Sequence, residues 1–124
     1  MANALNWFEI PVTDFPRAKK FYETVLGSSI YEMEMGPSLM GFFPMGEDQS
    51  GVGGAIVKAE DCEPSDKGSL IYLNAGPDLS DALGRIESAG GKVIVPKTMI
   101  TEEYGFFAMF LDSEGNKVGL HSMK

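Results

Sequence analysis

The sequence of 124 residues predicts an α+β fold built from two tandem modules, each with the element order βαβββ. A shift of 64 residues without a gap superposes the run Gly41-Phe42-Phe43 on Gly105-Phe106-Phe107, and it also places Asp14 on Asp78. Each copy has one apolar stripe at helical spacing, which lies between runs that are typical of strands. The chain therefore reads as two copies of one module.

Module one begins with a strand over residues 6–12, which is rich in aromatic and β-branched residues and is followed by Asp14 as a helix N-cap. The helix then carries an apolar stripe, and Gly27 ends it in a left-handed conformation. The stripe consists of Ala18, Phe21, Tyr22, Val25 and Leu26. Three further strands are predicted over residues 29–35, 39–44 and 52–58, with a turn over 46–51.

Module two repeats this order from residue 69. Asp78 is expected to cap one helix with a stripe of Leu79, Ala82, Leu83 and Ile86, which ends at Gly90-Gly91. Strands are predicted over residues 92–95, 106–111 and 117–122, with a turn over 112–115. The polar segment 96–105 is expected to be a loop, either a lid over a binding site or an ordinary connection. We expect one domain over residues 1–124, with module one at about 4–58, a linker at 59–68 and module two at about 69–123.

Composition and charge exclude several classes of function. Ten Lys and Arg residues against 18 Asp and Glu give a net charge of −8, which excludes nucleic acid or an anionic membrane as the main partner. One cysteine, Cys62, rules out an intramolecular disulfide and fits a reducing compartment. No secretory signal or long apolar run is present. The expected location is the cytoplasm.

The faces of the predicted sheets locate a ligand site. One helix covers only one face of each sheet, and the other faces are expected to leave a concave cleft between the modules. Strand alternation puts Trp7 and Glu9 on the cleft side of the first strand, whereas Phe8, Ile10 and Val12 pack under the helix.

Three segments carry a resemblance to the vicinal oxygen chelate superfamily, which includes glyoxalase I, bleomycin-resistance proteins, fosfomycin-resistance transferases and extradiol dioxygenases. They are the opening FEIPVTD at 8–14, the helix RAKKFYETVLG at 17–27 and the closing FLDSEGNKVGL at 110–120. The resemblance implies the glyoxalase/bleomycin-resistance/dihydroxybiphenyl-dioxygenase-like fold, whose mixed sheets form a concave cleft. It also implies a homodimer. It does not by itself choose among lyase, isomerase, oxygenase and binding protein.

The metal-dependent members of this superfamily bind a divalent ion through His, Gln or Glu side chains on the first and last strands of each module. The resemblance places these positions here at Trp7, Ala55, Ile71 and Gly119. None of these four side chains can coordinate a metal. We therefore expect no metal and no cofactor.

Candidate site residues follow from the same faces. Glu9 and the single histidine, His121, are the candidate catalytic pair for acid–base chemistry, although both also suit an ordinary solvated surface. The expected ligand-binding residues are Trp7, Ala55, Ile71, Tyr104, Met109 and Gly119. Methionines 33, 35, 40, 45, 99 and 109 are expected to border the cleft or to fill the core. The glycine at 119 is expected to leave room in the cleft.

The sequence thus predicts a protein that binds a small organic molecule in a cleft without the usual metal ligands. One alternative is a metal-independent lyase or isomerase in which Glu9 and His121, with Tyr72 or Tyr104 as a further participant, transfer protons. A second is a metal-dependent glyoxalase or dioxygenase with unrecognised ligands, and a third is a regulatory role for the dimer surface. Trp7→Ala would chiefly weaken binding in a binding protein, whereas Glu9→Gln would abolish turnover in an enzyme.

Overall fold

A computed structural model describes residues 4–44 and 51–124, and within them the α+β architecture of two βαβββ modules is confirmed. Module one contains β1 (Trp7–Pro11), α1 (Phe15–Leu26), β2 (Tyr31–Met35), β3 (Ser38–Phe42) and β4 (Gly53–Lys58). Module two contains β5 (Tyr72–Asn74), α2 (Ser80–Leu83), α3 (Ile86–Ala89), β6 (Lys92–Thr101), β7 (Gly105–Leu111) and β8 (Lys117–Ser122). The turn predicted over 46–51 lies, apart from Gly51, outside the described residues.

The two four-stranded sheets have the same topology. The first sheet has the order β1-β4-β3-β2 and the second has the order β5-β8-β7-β6. In each sheet the first and last strands of the module are parallel, and the other neighbours are antiparallel. The parallel pairing places β4 beside β1 and β8 beside β5, so these four strands lie at matching positions in the two sheets.

Helix α1 follows its sequence signals closely. The Asp14 side chain accepts a hydrogen bond from the Arg17 backbone N–H at 3.1 Å, and Gly27 ends the helix with a φ of 67°. A positive φ is a conformation that glycine adopts without a Cβ penalty. The whole apolar stripe of α1 except Leu26 is buried.

The helical segment of module two differs from the prediction of one continuous helix. It consists of the two short helices α2 and α3, which Gly84 and Arg85 separate. Glycine is a poor helix former, and the Arg85 guanidinium donates to the carbonyl oxygen of Val25 at the end of α1, at 2.8 and 3.1 Å. Asp78 accepts from the backbone N–H of Ser80, the first residue of α2, but the N-cap position is Leu79, which has no polar side chain to form a capping hydrogen bond.

The prediction of a long polar loop over 96–105 is wrong. Strand β6 continues to Thr101 as the partner of β7, and only residues 102–104 turn between the two strands. Register shifts in this pairing absorb the irregular part of the sequence around Pro96, because a bulge tolerates a residue without a backbone N–H. Residues 96–105 therefore do not form a loop that could close over a binding site as a lid.

One hydrophobic core joins the two modules. We call the side of each sheet that faces this core its inner side, and the opposite side its outer side. Phe21 of α1 lies 5.9 Å from the ring of Phe110 on β7, so the helix of module one packs on module two. The modules therefore contact each other through their helices and inner sides. Among the described residues, no helix is long and apolar enough to cross a membrane.

The turn between β7 and β8 connects module two to β1 and α1 of module one. The buried Asp112 carboxylate accepts a hydrogen bond from the Tyr22 hydroxyl at 2.6 Å, and burial is the main reason that the pKa of Tyr22 is raised. The Asn116 side chain donates to the Pro11 carbonyl oxygen at 2.7 Å. The end of the hairpin formed by β7 and β8 therefore makes polar contacts with module one.

Glu114 in the same turn caps α1 from the other module. Its carboxylate accepts from the backbone N–H groups of Thr13 and Asp14 and from the Arg17 guanidinium, at 2.9, 2.7 and 2.7 Å. Burial opposes ionisation, but these hydrogen bonds outweigh it and hold the pKa of Glu114 at about 2. The carboxylate thus stays charged where the positive end of the helix dipole needs an anion.

Candidate functional site

The outer side of the first sheet carries a broad apolar surface. Cross-strand pairing places Trp7 and Glu9 of β1 on this side with Ala55 of β4, and it places β2 and β3 residues beside them. The surface is made of Trp7, Tyr31, Met33, Met35, Met40 and Phe42. The side chains at its margins are well exposed, with Trp7 at 41% and Tyr31 at 64% of full exposure.

Three of these side chains form a row of rings across the sheet. The rings of Trp7 and Phe42 meet edge to face at 5.8 Å, and Phe42 and Tyr31 stack at 6.3 Å with an interplanar angle of 13°. Strand β4 runs between Trp7 and Phe42, and it carries only Gly53 and Ala55 there. Because these residues are small, the indole reaches across β4 to Phe42. We call Trp7, Phe42 and Tyr31 the ring row.

The outer side of the second sheet is filled differently. Tyr72 of β5 is paired with Gly119 of β8, and a Cβ at Gly119 would collide with the Tyr72 ring. The ring also meets Phe107 edge to face at 6.4 Å, and Met109 lies opposite Gly119. From the sequence, Gly119 is expected to leave room in the cleft. The structure differs, because the Tyr72 ring fills the space beside Gly119.

The position of Ile71 also corrects the sequence alignment of the modules. Glu9 pairs with Ala55 and Tyr72 pairs with Gly119, so the structural counterpart of Glu9 is Tyr72. The two first strands are thus offset by 63 residues, and not by the 64 that relate the other elements. Ile71 precedes β5 and packs against the core, so it matches Phe8 rather than Trp7. It lies beside two grooves between the modules, and not on the outer side.

Glu9 and His121 have separate hydrogen-bond partners. The Glu9 carboxylate accepts from the Trp7 indole N–H at 3.3 Å. His121 pairs with Phe107 on the outer side of the second sheet, and its Nε2 lies 2.6 Å from the Tyr104 carbonyl oxygen. A carbonyl can only accept, so Nε2 is the donor in this hydrogen bond. The two residues lie on different sheets, and the structure does not bring them together as a hydrogen-bonded pair.

Tyr104 is placed by this contact in the turn between β6 and β7. Its side chain is highly exposed, and its backbone N–H is held by the Thr101 hydroxyl at 3.0 Å. Of the methionines, Met33, Met35, Met40 and Met109 lie on the outer sides, whereas Met99 pairs with Phe106 on the inner side of the second sheet. Met45 lies outside the described residues.

Cys62 in the linker has the raised thiol pKa that its acidic surroundings suggest. Burial raises the pKa first, and the Asp61 and Glu9 carboxylates raise it further. A thiolate is therefore disfavoured at neutral pH, which argues against a nucleophilic role.

The residues at the superfamily's metal positions do not fit a metal ion. The strand register puts Ala55 and Gly119 on the last strands, and it puts Trp7 and Glu9 on β1 with Leu70 and Tyr72 as their counterparts. Glu9 is the one carboxylate in this set, and no imidazole or amide joins it. Within residues 4–44 and 51–124, no three His, Cys, Asp or Glu side chains converge into a group that could hold a metal.

Sequence reasoning missed three residues of the outer sides: Tyr31, Phe42 and Phe107. A signal for Tyr31 was present, because residues 31–35 alternate an apolar side chain with glutamate in the order Tyr, Glu, Met, Glu, Met. From the sequence, Tyr72 is a candidate aid to proton transfer, but an offset of 64 for the first strand does not match it with Glu9.

The family of the chain follows from this architecture and from sequence comparison. Residues 4–120 match the Glyoxalase/Bleomycin resistance protein/Dioxygenase superfamily. The chain belongs to this superfamily. No curated protein is significantly similar to it.

Solved structures with the same fold include proteins of several kinds. Glyoxalase I from Zea mays superposes with a TM-score of 0.74 at 19% identity over 96% of this chain, which spans 46% of the maize protein. A glyoxalase/bleomycin resistance protein from Streptomyces sp. CB03234 is 27% identical, with a TM-score of 0.65 over 95% of this chain and 100% of the other. A fosfomycin resistance protein from Listeria monocytogenes is 17% identical, with a TM-score of 0.64 and coverages of 98% and 92%.

Proposed function

We propose that the protein binds a small organic molecule in an apolar cleft lined by the outer sides of its sheets. The observation that carries the proposal is the exposed apolar surface on the first sheet, where Trp7, Tyr31, Met33 and Met35 are all at least partly open to solvent. Soluble proteins rarely expose contiguous apolar surface without a binding role. Binding of this kind needs no metal, and it uses residues that the chain has.

A second copy of the chain is the partner that would turn these open surfaces into a cleft. The modules of one chain already use their inner sides on each other, so the outer sides remain for another molecule. The outer side of the second sheet is also open to solvent at Tyr72, so both sheets have an outer surface that a second copy can face. In a twofold dimer each first sheet faces a second sheet, and two equal clefts result.

Binding is favoured over proton transfer by the hydrogen bonds of the candidate pair. The Nε2 proton of His121 is held by the Tyr104 carbonyl oxygen, and Glu9 already accepts from Trp7. The clefts are then lined by Trp7, Tyr104 and Met109. Ala55 has no exposed surface and Gly119 is covered by Tyr72, so these two predicted residues do not contact a ligand. The cytoplasmic location and the absence of a cofactor stay predictions from the sequence.

Two measurements on the full chain test the proposal. Sedimentation should give twice the 13.4 kDa of the chain. In protein labelled with ¹³C at the methionine methyls, tert-butylbenzene should shift the NMR signals of Met33, Met35 and Met40. These shifts should saturate as its concentration rises.

The methyls of Met99 and Met123 are the internal controls, because Met99 lies on the inner side and Met123 near the end of the chain. A monomer whose outer-side methyls do not respond would contradict the proposal. Shifts confined to the controls would place the ligand elsewhere.

A further inference from the structure

The ring row and Glu9 together have the chemistry of a cation site. Trp7, Phe42 and Tyr31 line up across the first sheet, and the rings at both ends are open to solvent. The face of an aromatic ring carries a negative quadrupole that attracts an ammonium group within about 6 Å of the ring centroid. A row of three rings therefore offers several positions for the same positive group.

Glu9 supplies a full negative charge at one end of the row. The Trp7 indole N–H donates to one of its oxygens at 3.3 Å, which holds the carboxylate against the ring and leaves its other lone pairs open. Within the described part of the chain, the salt bridges are formed by other residues, and none includes Glu9. The carboxylate beside the rings is thus not neutralised by a Lys or Arg partner.

The groups around the ring row do not cancel the negative charge that Glu9 supplies. The groove beside Glu9 also contains Glu63 and Lys117, whose charges offset each other. The outer-side residues of β2 and β3 bring only apolar side chains and Ser38 to this surface. The net charge of −8 adds a weak long-range attraction for cations.

We propose that the cleft selects an organic cation, namely a protonated or quaternary amine on an aromatic or apolar body. The ammonium group lies over the ring row beside Glu9, and the apolar body packs on Met33, Met35 and Met40. This inference rests on the proposed function, since it names the ligand class of the same cleft.

Two probes of equal shape separate charge from hydrophobicity. Phenyltrimethylammonium and tert-butylbenzene differ by a single atom, nitrogen or carbon, at the centre of the branched group. Titration of the ¹³C-methionine protein should show the cation bound at least about tenfold more tightly than the neutral probe. Glu9→Gln should remove most of that preference, and it should leave the affinity for tert-butylbenzene unchanged.

Two further variants make the test specific. Tyr31→Leu keeps an apolar side chain but removes a ring face. It should therefore lower the affinity for the cation severalfold more than the affinity for the neutral probe. Glu34→Gln is the matched control, because it removes the same charge from the same sheet, but its partner Leu39 packs on the core side. This control should leave both affinities unchanged. Circular dichroism checks that each variant is folded.

The outcomes distinguish this inference from the proposed function. Equal affinity for the two probes, or a cation preference unaffected by Glu9→Gln, overturns the cation site and leaves an apolar cleft. An equal loss in Glu34→Gln and Glu9→Gln also overturns it, because diffuse surface charge then explains the preference. If neither probe shifts the outer-side methyls, the proposed function fails together with the inference.

Discussion

The inner sides of the two modules have remained alike. Ile10 of β1 corresponds to Leu73 of β5, and Ile56 of β4 corresponds to Leu120 of β8. All four side chains are buried in the one core that both modules share. A polar residue at any of these positions would be buried in that core, at a cost in stability unless it found a hydrogen-bond partner.

The outer sides of the two modules have become different. Glu9 on the first sheet corresponds to Tyr72 on the second, and Ala55 corresponds to Gly119. One module thus presents a carboxylate beside a row of rings, whereas the other covers a glycine with a tyrosine ring. None of these four residues belongs to the core that the modules share. The difference between the modules therefore points to the outer sides as the place where ligand recognition is encoded.

Of the variants considered, Asp112→Ala should weaken the contact between the two modules most. Its carboxylate accepts from the Tyr22 hydroxyl, the Asn116 side chain and two backbone N–H groups, at 2.6 to 3.0 Å. The variant would leave the buried Tyr22 hydroxyl without this acceptor, so the free energy of unfolding should fall by about 3–5 kcal/mol. Urea denaturation at pH 7 measures the change.

Asp81→Ala is the matched control for this prediction, because Asp81 is exposed and should change stability by less than about 0.5 kcal/mol. Equal and small losses in the two variants would show that the turn between β7 and β8 does not hold the modules together.

Glu114→Gln tests the other polar contact between the modules through pH. The folded pKa of about 2 lies below the ordinary value of 4.5, so the carboxylate contributes stability at pH values above 4.5. This contribution is lost as the pH falls towards 2. The variant should therefore be less stable than the natural chain by about 2 kcal/mol at pH 7, and the difference should shrink between about pH 5 and pH 2.

The measurement is a series of urea denaturations of both proteins across this pH range. A stability difference that does not change with pH would mean that the charge of Glu114 is not what stabilises the start of α1. The glutamine variant keeps the length of the side chain, so a loss of packing is not mixed into the result.

Most of the fold could be predicted from the sequence, because it depends on local signals and on one repeat. The N-cap Asp14, the stripe of α1 and the end at Gly27 fixed that helix within about a residue. The helix of module two was predicted less well. Gly84 is a weak local signal, and the bond from Arg85 to the Val25 carbonyl is a contact over 60 residues that periodicity does not show.

The candidate site could be predicted only in part. Alternation along β1 was enough to put Trp7 and Glu9 on one side, because that depends on the strand alone. The ring row could not be predicted, since it depends on the pairing of β3 with β4 and on the small residues of β4. The segment 96–105 was misread as a loop because its polar residues hide an edge strand that pairs on one side only.

The smallest expected effect comes from making the two outer sides more alike at one position. Gly119→Ala gives module two the residue that module one has at position 55, but the new methyl group would collide with the Tyr72 ring. The ring is 45% exposed and can rotate away, so the loss in the free energy of unfolding should be only about 1 kcal/mol. In a Tyr72→Ser background the same substitution should cost nothing measurable, because the ring is gone. A double-mutant cycle by urea denaturation gives the coupling energy between the two positions. Equal costs in the two backgrounds would mean that the backbone of β8 requires glycine at position 119, and that the Tyr72 ring does not. The outer side of module two would then be open beside Gly119, where we describe it as filled by that ring.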